Sequence, residues 1–155
     1  MIREEATVIR RTKKFTYGLA LCFMLIVLIN PILWSGEIKR CQVCGMDGSK
    51  YPHTKYVVTM TGGEEFVTCG VQCGLTLHLR FKEKFKSATA TDLLSNRSMD
   101  AQKGFYVYKS TVITDMAPGF ISFGIKANAE KFQKGFGGKV VTYQEALGIW
   151  KEQMK

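Results

Sequence analysis

The sequence predicts an α+β fold in which two small ββαβ units follow a single N-terminal transmembrane helix. Three observations support this prediction: a long uncharged stretch near the N-terminus, short segments rich in aromatic and β-branched residues, and amphipathic helical periodicity after pairs of those segments. The 155 residues are enough for one domain or two very small ones, and too few for a large enzyme scaffold.

The uncharged stretch from Phe15 to Trp34 is long enough to cross a bilayer, because twenty residues at 1.5 Å each span about 30 Å. Basic residues precede it, which places residues 1–14 in the cytoplasm as a short tail. A cleaved signal peptide usually has a shorter apolar core and a small-residue cleavage site, unlike this segment. We therefore expect a single-pass anchor in the cell inner membrane, with residues 35–155 on the periplasmic or extracytoplasmic side.

The chain is basic, with a formal net charge of +9, but most of its Lys and Arg residues are scattered. One cluster is formed by Arg80, Lys82, Lys84 and Lys86, and we interpret it as the solvated face of a helix. A nucleic-acid site would need a denser patch with interleaved aromatic residues. We expect no nucleic-acid partner, whereas an acidic protein surface and anionic lipid headgroups remain candidate partners.

The first unit is expected to span residues 35–100. Its strands are predicted at Lys55–Met60 and from Glu65 to Thr68, with a glycine-containing turn between them. Apolar residues at helical spacing then predict a helix from about Val71 to Lys86, followed by a polar stretch.

The second unit is expected to span residues 101–155 and to repeat this order, as a weak internal duplication. Its strands are predicted at Gly104–Ser110, Phe120–Ile125 and Lys139–Tyr143, and its helices at Ala127–Phe136 and Gln144–Lys155. We expect Phe136 on the apolar side of the first helix, and Leu147, Trp150 and Met154 of the closing helix in the core.

Four of the five cysteines follow the membrane segment in two close pairs, Cys41-x-x-Cys44 and Cys69-x-x-x-Cys73. The predicted helix start beside Cys73 is expected to lower a thiol pKa. Thiolates are soft ligands that favour Cu(I) over hard cations. The same four residues can instead form two disulfides in an oxidising compartment, or a structural Cys₄ site for Zn(II).

Two methionines favour a functional site for a soft metal over these structural alternatives. Met46 directly follows the first cysteine pair, and Met116 lies in a polar turn where an apolar side chain has no evident core to fill. Of the two histidines, His53 lies in a loop near the first pair and is the better candidate ligand. His78 falls on a different side of the predicted helix from Cys73.

The segments CQVCGM, YPHTKYVVTMTGGEEF and FYVYKSTVITDMAPGFISFGIKANAEKFQKGFGGKVVTYQEAL resemble, in their order and spacing, the NosL family of nitrous oxide reductase accessory proteins. The resemblance covers about Cys41 to Trp150. It implies two ββαβ units and an extracytoplasmic protein that binds Cu(I) and hands copper to the maturing reductase. It also implies that Cys44, Met46 and Met116 are the metal ligands.

Two features depart from that family. Its members are commonly lipoproteins, whereas this chain is predicted to keep a transmembrane helix. It also has Cys41, Cys69 and Cys73, and the spacing Cys44…Cys69-x-x-x-Cys73 resembles TRASH-type heavy-metal modules. The additional thiols leave an all-thiolate site open. For a site formed by Cys44, Met46 and Met116, the candidate further ligands are Cys41 and His53.

The resulting expectation is a non-enzymatic copper chaperone for a client copper protein such as nitrous oxide reductase. The alternatives are a membrane-tethered thiol–disulfide oxidoreductase that uses Cys41-x-x-Cys44, and an interaction domain stabilised by zinc or disulfides. A redox C-x-x-C motif usually opens a helix, whereas the glycines and proline after Cys44 favour a loop.

Overall fold

The computed structural model describes residues 40–114 and 116–155, and within them the chain forms two antiparallel sheets and three α-helices. The predicted mixture of helices and strands is confirmed. The first sheet contains β1 (Tyr56–Met60), β2 (Glu65–Thr68), β3 (Phe85–Thr91) and β4 (Ser98–Asp100). The second contains β5 (Phe105–Tyr108), β6 (Phe120–Phe123) and β7 (Lys139–Thr142). The helices are α1 (Val71–Arg80), α2 (Lys126–Phe136) and α3 (Tyr143–Gln153).

The predicted membrane helix, Phe15–Trp34, lies outside the described residues, as does the N-terminal tail before it. Among residues 40–114 and 116–155, no helix is long and apolar enough to cross a bilayer. The anchor therefore stays a prediction from the sequence.

The two sheets share one strand pattern. Their strand orders are β2-β1-β3-β4 and β6-β5-β7. Strand β1 lies between its hairpin partner β2 and the later strand β3, and strand β5 likewise lies between β6 and the later strand β7. In both cases the chain passes through a helix between the hairpin and that later strand. The order strand, strand, helix, strand therefore occurs twice.

Helix α1 is shorter than predicted, because it ends at Arg80 and does not continue to Lys86. A short 3₁₀ turn at Lys82–Lys84 follows, and Phe85 begins strand β3. This strand and the short β4 after it were not predicted from the sequence.

Phe81 and Phe85 have the i, i+4 spacing of one face of a helix, but the two residues have different roles. Phe85 lies opposite Met60 at the end of the β1–β3 ladder, and its ring stacks on His78 with the ring centroids 3.8 Å apart. Phe81 is exposed. Pairing with the free edge of β1 satisfies the backbone hydrogen bonds of this segment and overrides the local helical pattern.

The main core joins both sheets. It contains residues of β1, β3, α1, one face of the second sheet, and α3. Helix α2 covers the other face of the second sheet, where Val107, Ile121, Phe123 and Ala129 form a second cluster. One core prediction is wrong: Met154 is exposed, because it follows the last residue of α3. Phe136 is also exposed, although its ring contacts that of Phe132 with the ring centroids 4.7 Å apart.

Asp92 connects the end of β3 to the second sheet and is 6% exposed. Its Oδ1 accepts hydrogen bonds from the backbone N–H groups of Leu94 at 3.0 Å and Ser95 at 2.7 Å, and its Oδ2 accepts one from Gly124 at 2.6 Å. Burial raises the pKa of Asp92, but these hydrogen bonds to the charged form outweigh burial and hold the pKa below its ordinary value.

We expect Asp92→Asn to lower the free energy of unfolding at pH 7 by about 1–3 kcal/mol, because an amide cannot accept all of these hydrogen bonds. A carboxyl with a lowered folded-state pKa stabilises the fold above its unfolded pKa of about 4, and this stabilisation is lost as the pH falls through the folded pKa. The difference between wild type and variant should therefore shrink in acid.

Urea unfolding of residues 35–155 at pH 7 and pH 3 measures both effects. Asp100→Asn is the matched control, because Asp100 is exposed and accepts one backbone hydrogen bond, from Gln102. We expect it to change stability by less than about 0.5 kcal/mol. A penalty for Asp92→Asn that is equal at both pH values would contradict the role assigned to the charge.

Candidate metal site

The first cysteine pair lies in a tight turn that precedes β1. The backbone N–H of Cys41 donates to the carbonyl of Met46 at 2.7 Å, and the N–H of Gly45 donates to the carbonyl of Cys41 at 2.8 Å. Gly45 has a φ of 75°, a left-handed conformation that glycine adopts without strain. An isolated bridge between Arg40 and Asp47 closes the turn, so the motif lies in a loop, as predicted.

The second pair lies where β2 passes into α1. Cys69 directly follows the strand, and Cys73 lies in the first turn of the helix, with their sulfur atoms 3.6 Å apart. The Thr54 hydroxyl donates to the carbonyl of Cys69 at 2.7 Å, and the Thr68 hydroxyl donates to that of Gly70 at 3.1 Å. These hydrogen bonds stabilise the backbone conformation of the segment that carries both thiols.

The fold brings the two pairs into one cluster. The four thiol sulfurs all lie within 4.8 Å of one another, and the Sγ atoms of Cys44 and Cys69 are 3.4 Å apart. These four cysteines are free thiols in the structure and form no disulfide. Thiolates around a tetrahedral metal at about 2.3 Å would have their sulfurs about 3.8 Å apart. The cluster is therefore able to bind a metal ion with small side-chain movements.

Exposure divides the cluster into a buried part and an open edge. Cys41 is 2% exposed, Cys69 0% and Cys73 2%, whereas Cys44 is open to solvent. A ligand or partner that approaches from solvent therefore meets Cys44 first.

Both predicted methionines contact this cluster, and the predicted histidine does not belong to it. Met46 and Met116 are partly buried and pack against the cysteines, together with Val43 and Tyr51. Met116 comes from the loop between β5 and β6, so residues from distant parts of the sequence meet here. His53 is exposed and is not among the residues whose ligand atoms lie together.

Hydrogen bonding among the thiols separates their acidities. Hydrogen bonds from Cys69 and Cys73 hold the pKa of Cys41 far below its usual range. Donation to Cys41 raises the pKa values of Cys69 and Cys73, and burial raises them further. The expectation that the helix start lowers a thiol pKa at Cys73 is therefore wrong, because hydrogen bonding to the neighbouring thiols and burial both favour the neutral form of Cys73.

Taken together, the fold and the site define a small mixed α/β protein with a cysteine cluster able to bind a metal ion. The family model for NosL matches residues 35–147. The chain therefore belongs to the NosL family, which confirms the resemblance seen in its motifs.

A solved structure shares this fold. The crystal structure of the copper chaperone NosL from Shewanella denitrificans has a TM-score of 0.63 to this chain at 20% sequence identity, and the match covers 68% of this chain and 87% of that one. A comparison with curated protein sequences gives no significant match.

Proposed function

We propose that this chain is a copper chaperone that binds Cu(I) at the cysteine cluster and passes it to a client copper protein, and that it is not an enzyme. The observation that carries the proposal is the convergence of four thiol sulfurs within 4.8 Å of one another, with Met46 and Met116 packed beside them. Membership of the NosL family and the fold shared with a copper chaperone support it.

The chemistry of the ligand set favours Cu(I) over hard cations. Thiolates and thioethers are soft, polarisable donors, and the cluster contains no carboxylate or imidazole ligand among the described residues. Four thiolates also suit tetrahedral Zn(II), which makes zinc the alternative occupant. The two thioethers are the feature that a structural zinc site does not need.

Uneven exposure of the cluster suits the transfer of a metal ion. The buried thiols of Cys41, Cys69 and Cys73 would hold the ion away from water, whereas Cys44 is accessible. A client thiol or thioether can then displace Cys44 first and take the ion by stepwise ligand exchange. Weak thioether ligands would keep the final release favourable.

We expect Met116→Ile to weaken Cu(I) binding about tenfold and to leave Zn(II) binding within about twofold of wild type. Isoleucine keeps the apolar volume and removes the sulfur, so the cost in fold stability should stay under about 1.5 kcal/mol. Competition with a chromophoric Cu(I) chelator under reducing conditions measures the first affinity, and a zinc indicator measures the second.

Met154→Ile is the matched control for this substitution, because Met154 is exposed beyond the end of α3. It should leave both affinities unchanged. Tight zinc binding, unaffected by Met116→Ile and accompanied by weak Cu(I) binding, would instead favour the structural zinc site.

The alternative function, a thiol–disulfide oxidoreductase, is disfavoured because Cys41 of its C-x-x-C motif is inaccessible to a substrate. Hydrogen bonds from the thiols of Cys69 and Cys73 lower the pKa of Cys41, yet its side chain is buried. A reactive cysteine needs both thiolate character and access to its substrate. We expect no reduction of insulin disulfides above background, and turnover that depends on Cys41 would overturn the chaperone proposal.

We also propose that Phe15–Trp34 anchors the chain in the inner membrane, with residues 35–155 on the extracytoplasmic side. The support is the uncharged length of this segment and the basic residues before it. Alkaline phosphatase fused to the C-terminus should be active, whereas a cytoplasmic reporter at the same position should not. A mature N-terminus near Ser35 would contradict the proposed anchor, but it would agree with the proposed extracytoplasmic location.

Nitrous oxide reductase is the client we propose, on the strength of the NosL family alone. Copper-loaded chain mixed with the copper-free reductase should lose Cu(I) to it, while a copper protein from an unrelated pathway should take up less. Equal transfer of Cu(I) to both proteins would contradict the proposal that the reductase is the client, but not the proposal that the chain carries copper.

A further inference from the structure

One buried side chain connects the cysteine cluster to the loop that carries Met116. Gln72 lies in the first turn of α1, next to Cys73, and is 1% exposed. Its Nε2 donates to the backbone carbonyl of Met116 at 3.3 Å and to that of Pro118 at 3.0 Å. A single amide group therefore ties the loop between β5 and β6 to the helix that carries a cluster thiol.

A glutamine at this buried position is unfavourable apart from those two hydrogen bonds. Its Oε1 is buried and has no hydrogen-bond partner among the described residues. An unpaired buried amide oxygen carries a desolvation penalty that an apolar side chain of the same size would avoid. The contacts that offset this penalty are the ones made to the Met116 loop.

The two sides of this connection are both held firmly. On the helix side, the carbonyl of Gln72 accepts a hydrogen bond from the Thr76 hydroxyl at 2.9 Å, and the Trp150 indole donates to that hydroxyl at 2.8 Å. On the loop side, a Cβ atom at Gly119 would come within 2.8 Å of the Met116 carbonyl oxygen. The loop therefore turns so tightly between Met116 and Gly119 that a side chain at position 119 would collide with it.

We infer that Gln72 is a positioning residue that holds the Met116 thioether at the cysteine cluster and thereby favours Cu(I) over Zn(II). This inference rests on the proposed function, because it assigns Met116 a role in copper binding. Zn(II) bound by the four cysteines would not need the loop, whereas Cu(I) bound with help from a thioether would. Loss of the Gln72 hydrogen bonds should therefore affect one metal and not the other.

The experiment compares Gln72→Leu with wild type in the full-length chain in detergent, with Cu(I) and Zn(II) affinities measured by chelator competition. Leucine keeps the side chain buried and removes both hydrogen bonds. We expect Cu(I) affinity to fall about tenfold, the size expected for two lost hydrogen bonds, and Zn(II) affinity to change by less than about twofold. In a Met116→Ile background, Gln72→Leu should have no further effect on Cu(I).

Two further variants keep the test interpretable if Gln72→Leu folds poorly. Gly119→Ala leaves Gln72 in place and pushes against the Met116 carbonyl, so it should weaken Cu(I) binding selectively as well. Gln133→Leu is the matched control, because Gln133 also donates through Nε2 to a backbone carbonyl, that of Gly138 at 3.0 Å, outside the cluster. It should leave both affinities unchanged.

Three results would overturn the inference, and they differ from failure of the proposed function. Wild-type Cu(I) affinity in Gln72→Leu, together with weakened binding in Met116→Ile, would show that Gln72 does not position the thioether. An equal loss of Cu(I) and Zn(II) affinity in Gln72→Leu, which persists in the Met116→Ile background, would show that Gln72 has only a structural role. Unchanged Cu(I) binding in Met116→Ile would remove Met116 as a ligand. Absence of Cu(I) binding by the wild-type chain would instead refute the proposed function itself.

Discussion

Substitution of Cys69 by serine is expected to lower the Cu(I) affinity of this chain by at least about 100-fold. Cys69 lies inside the cluster, since its sulfur is 3.4 Å from that of Cys44 and 3.6 Å from that of Cys73, and its side chain is fully buried. Serine keeps the shape of the side chain and replaces a soft ligand with a hard one. Changes in groups that only support metal ligands already cost about 10–100-fold in affinity, so a direct ligand should cost more.

Two comparisons make this result specific. Cys22→Ser changes the same chemistry in a cysteine of the apolar N-terminal stretch, outside the described residues, and should leave Cu(I) binding unchanged. Cys44→Ser should also weaken binding strongly, because it removes the exposed sulfur ligand of the cluster. Full Cu(I) affinity in Cys69→Ser with loss in Cys44→Ser would contradict the four-thiol site. The ligands would then be Cys44, Met46 and Met116.

Each of the two cysteine pairs could be recognised from the sequence because each is a local pattern. Cys41-x-x-Cys44 precedes a glycine that permits a tight turn, and Cys69 and Cys73 flank the start of a helix that apolar spacing reveals. What the sequence could not determine was whether the pairs meet. That depends on the β1–β2 hairpin, which returns the chain to its starting point before α1 begins.

The errors have a common physical origin in contacts between distant residues. Strand β3 was missed, and its first two residues were assigned to the preceding helix, because the pairing of β3 with β1 is invisible to a local window. Gln72 was missed for a similar reason, since its partners are backbone carbonyls far along the chain. A polar residue within the apolar first turn of α1 was the one signal in the sequence.

Substitution of Gly74 by alanine is expected to lower the free energy of unfolding of residues 35–155 by about 3 kcal/mol or more. Gly74 lies in the middle of α1, where alanine would ordinarily stabilise a helix. Here a Cβ atom would fall on the ring of Tyr56, with the ring Cγ at 2.9 Å and two further ring atoms closer still. Tyr56 is fully buried in β1, so neither the ring nor the helix has room to move without repacking the core.

Gly148→Ala in α3 isolates the steric part of this effect. A Cβ at Gly148 would meet no atom within 4 Å, so alanine should raise stability there by about 0.5–1 kcal/mol through helix propensity alone. Opposite signs for the two glycines in urea unfolding would establish that α1 packs directly on the first sheet. Because α1 also carries Cys73 and Gln72, any outward shift of the helix in Gly74→Ala would move a cluster thiol away from its partners. The variant should therefore bind Cu(I) more weakly, and wild-type stability together with wild-type affinity would contradict this packing.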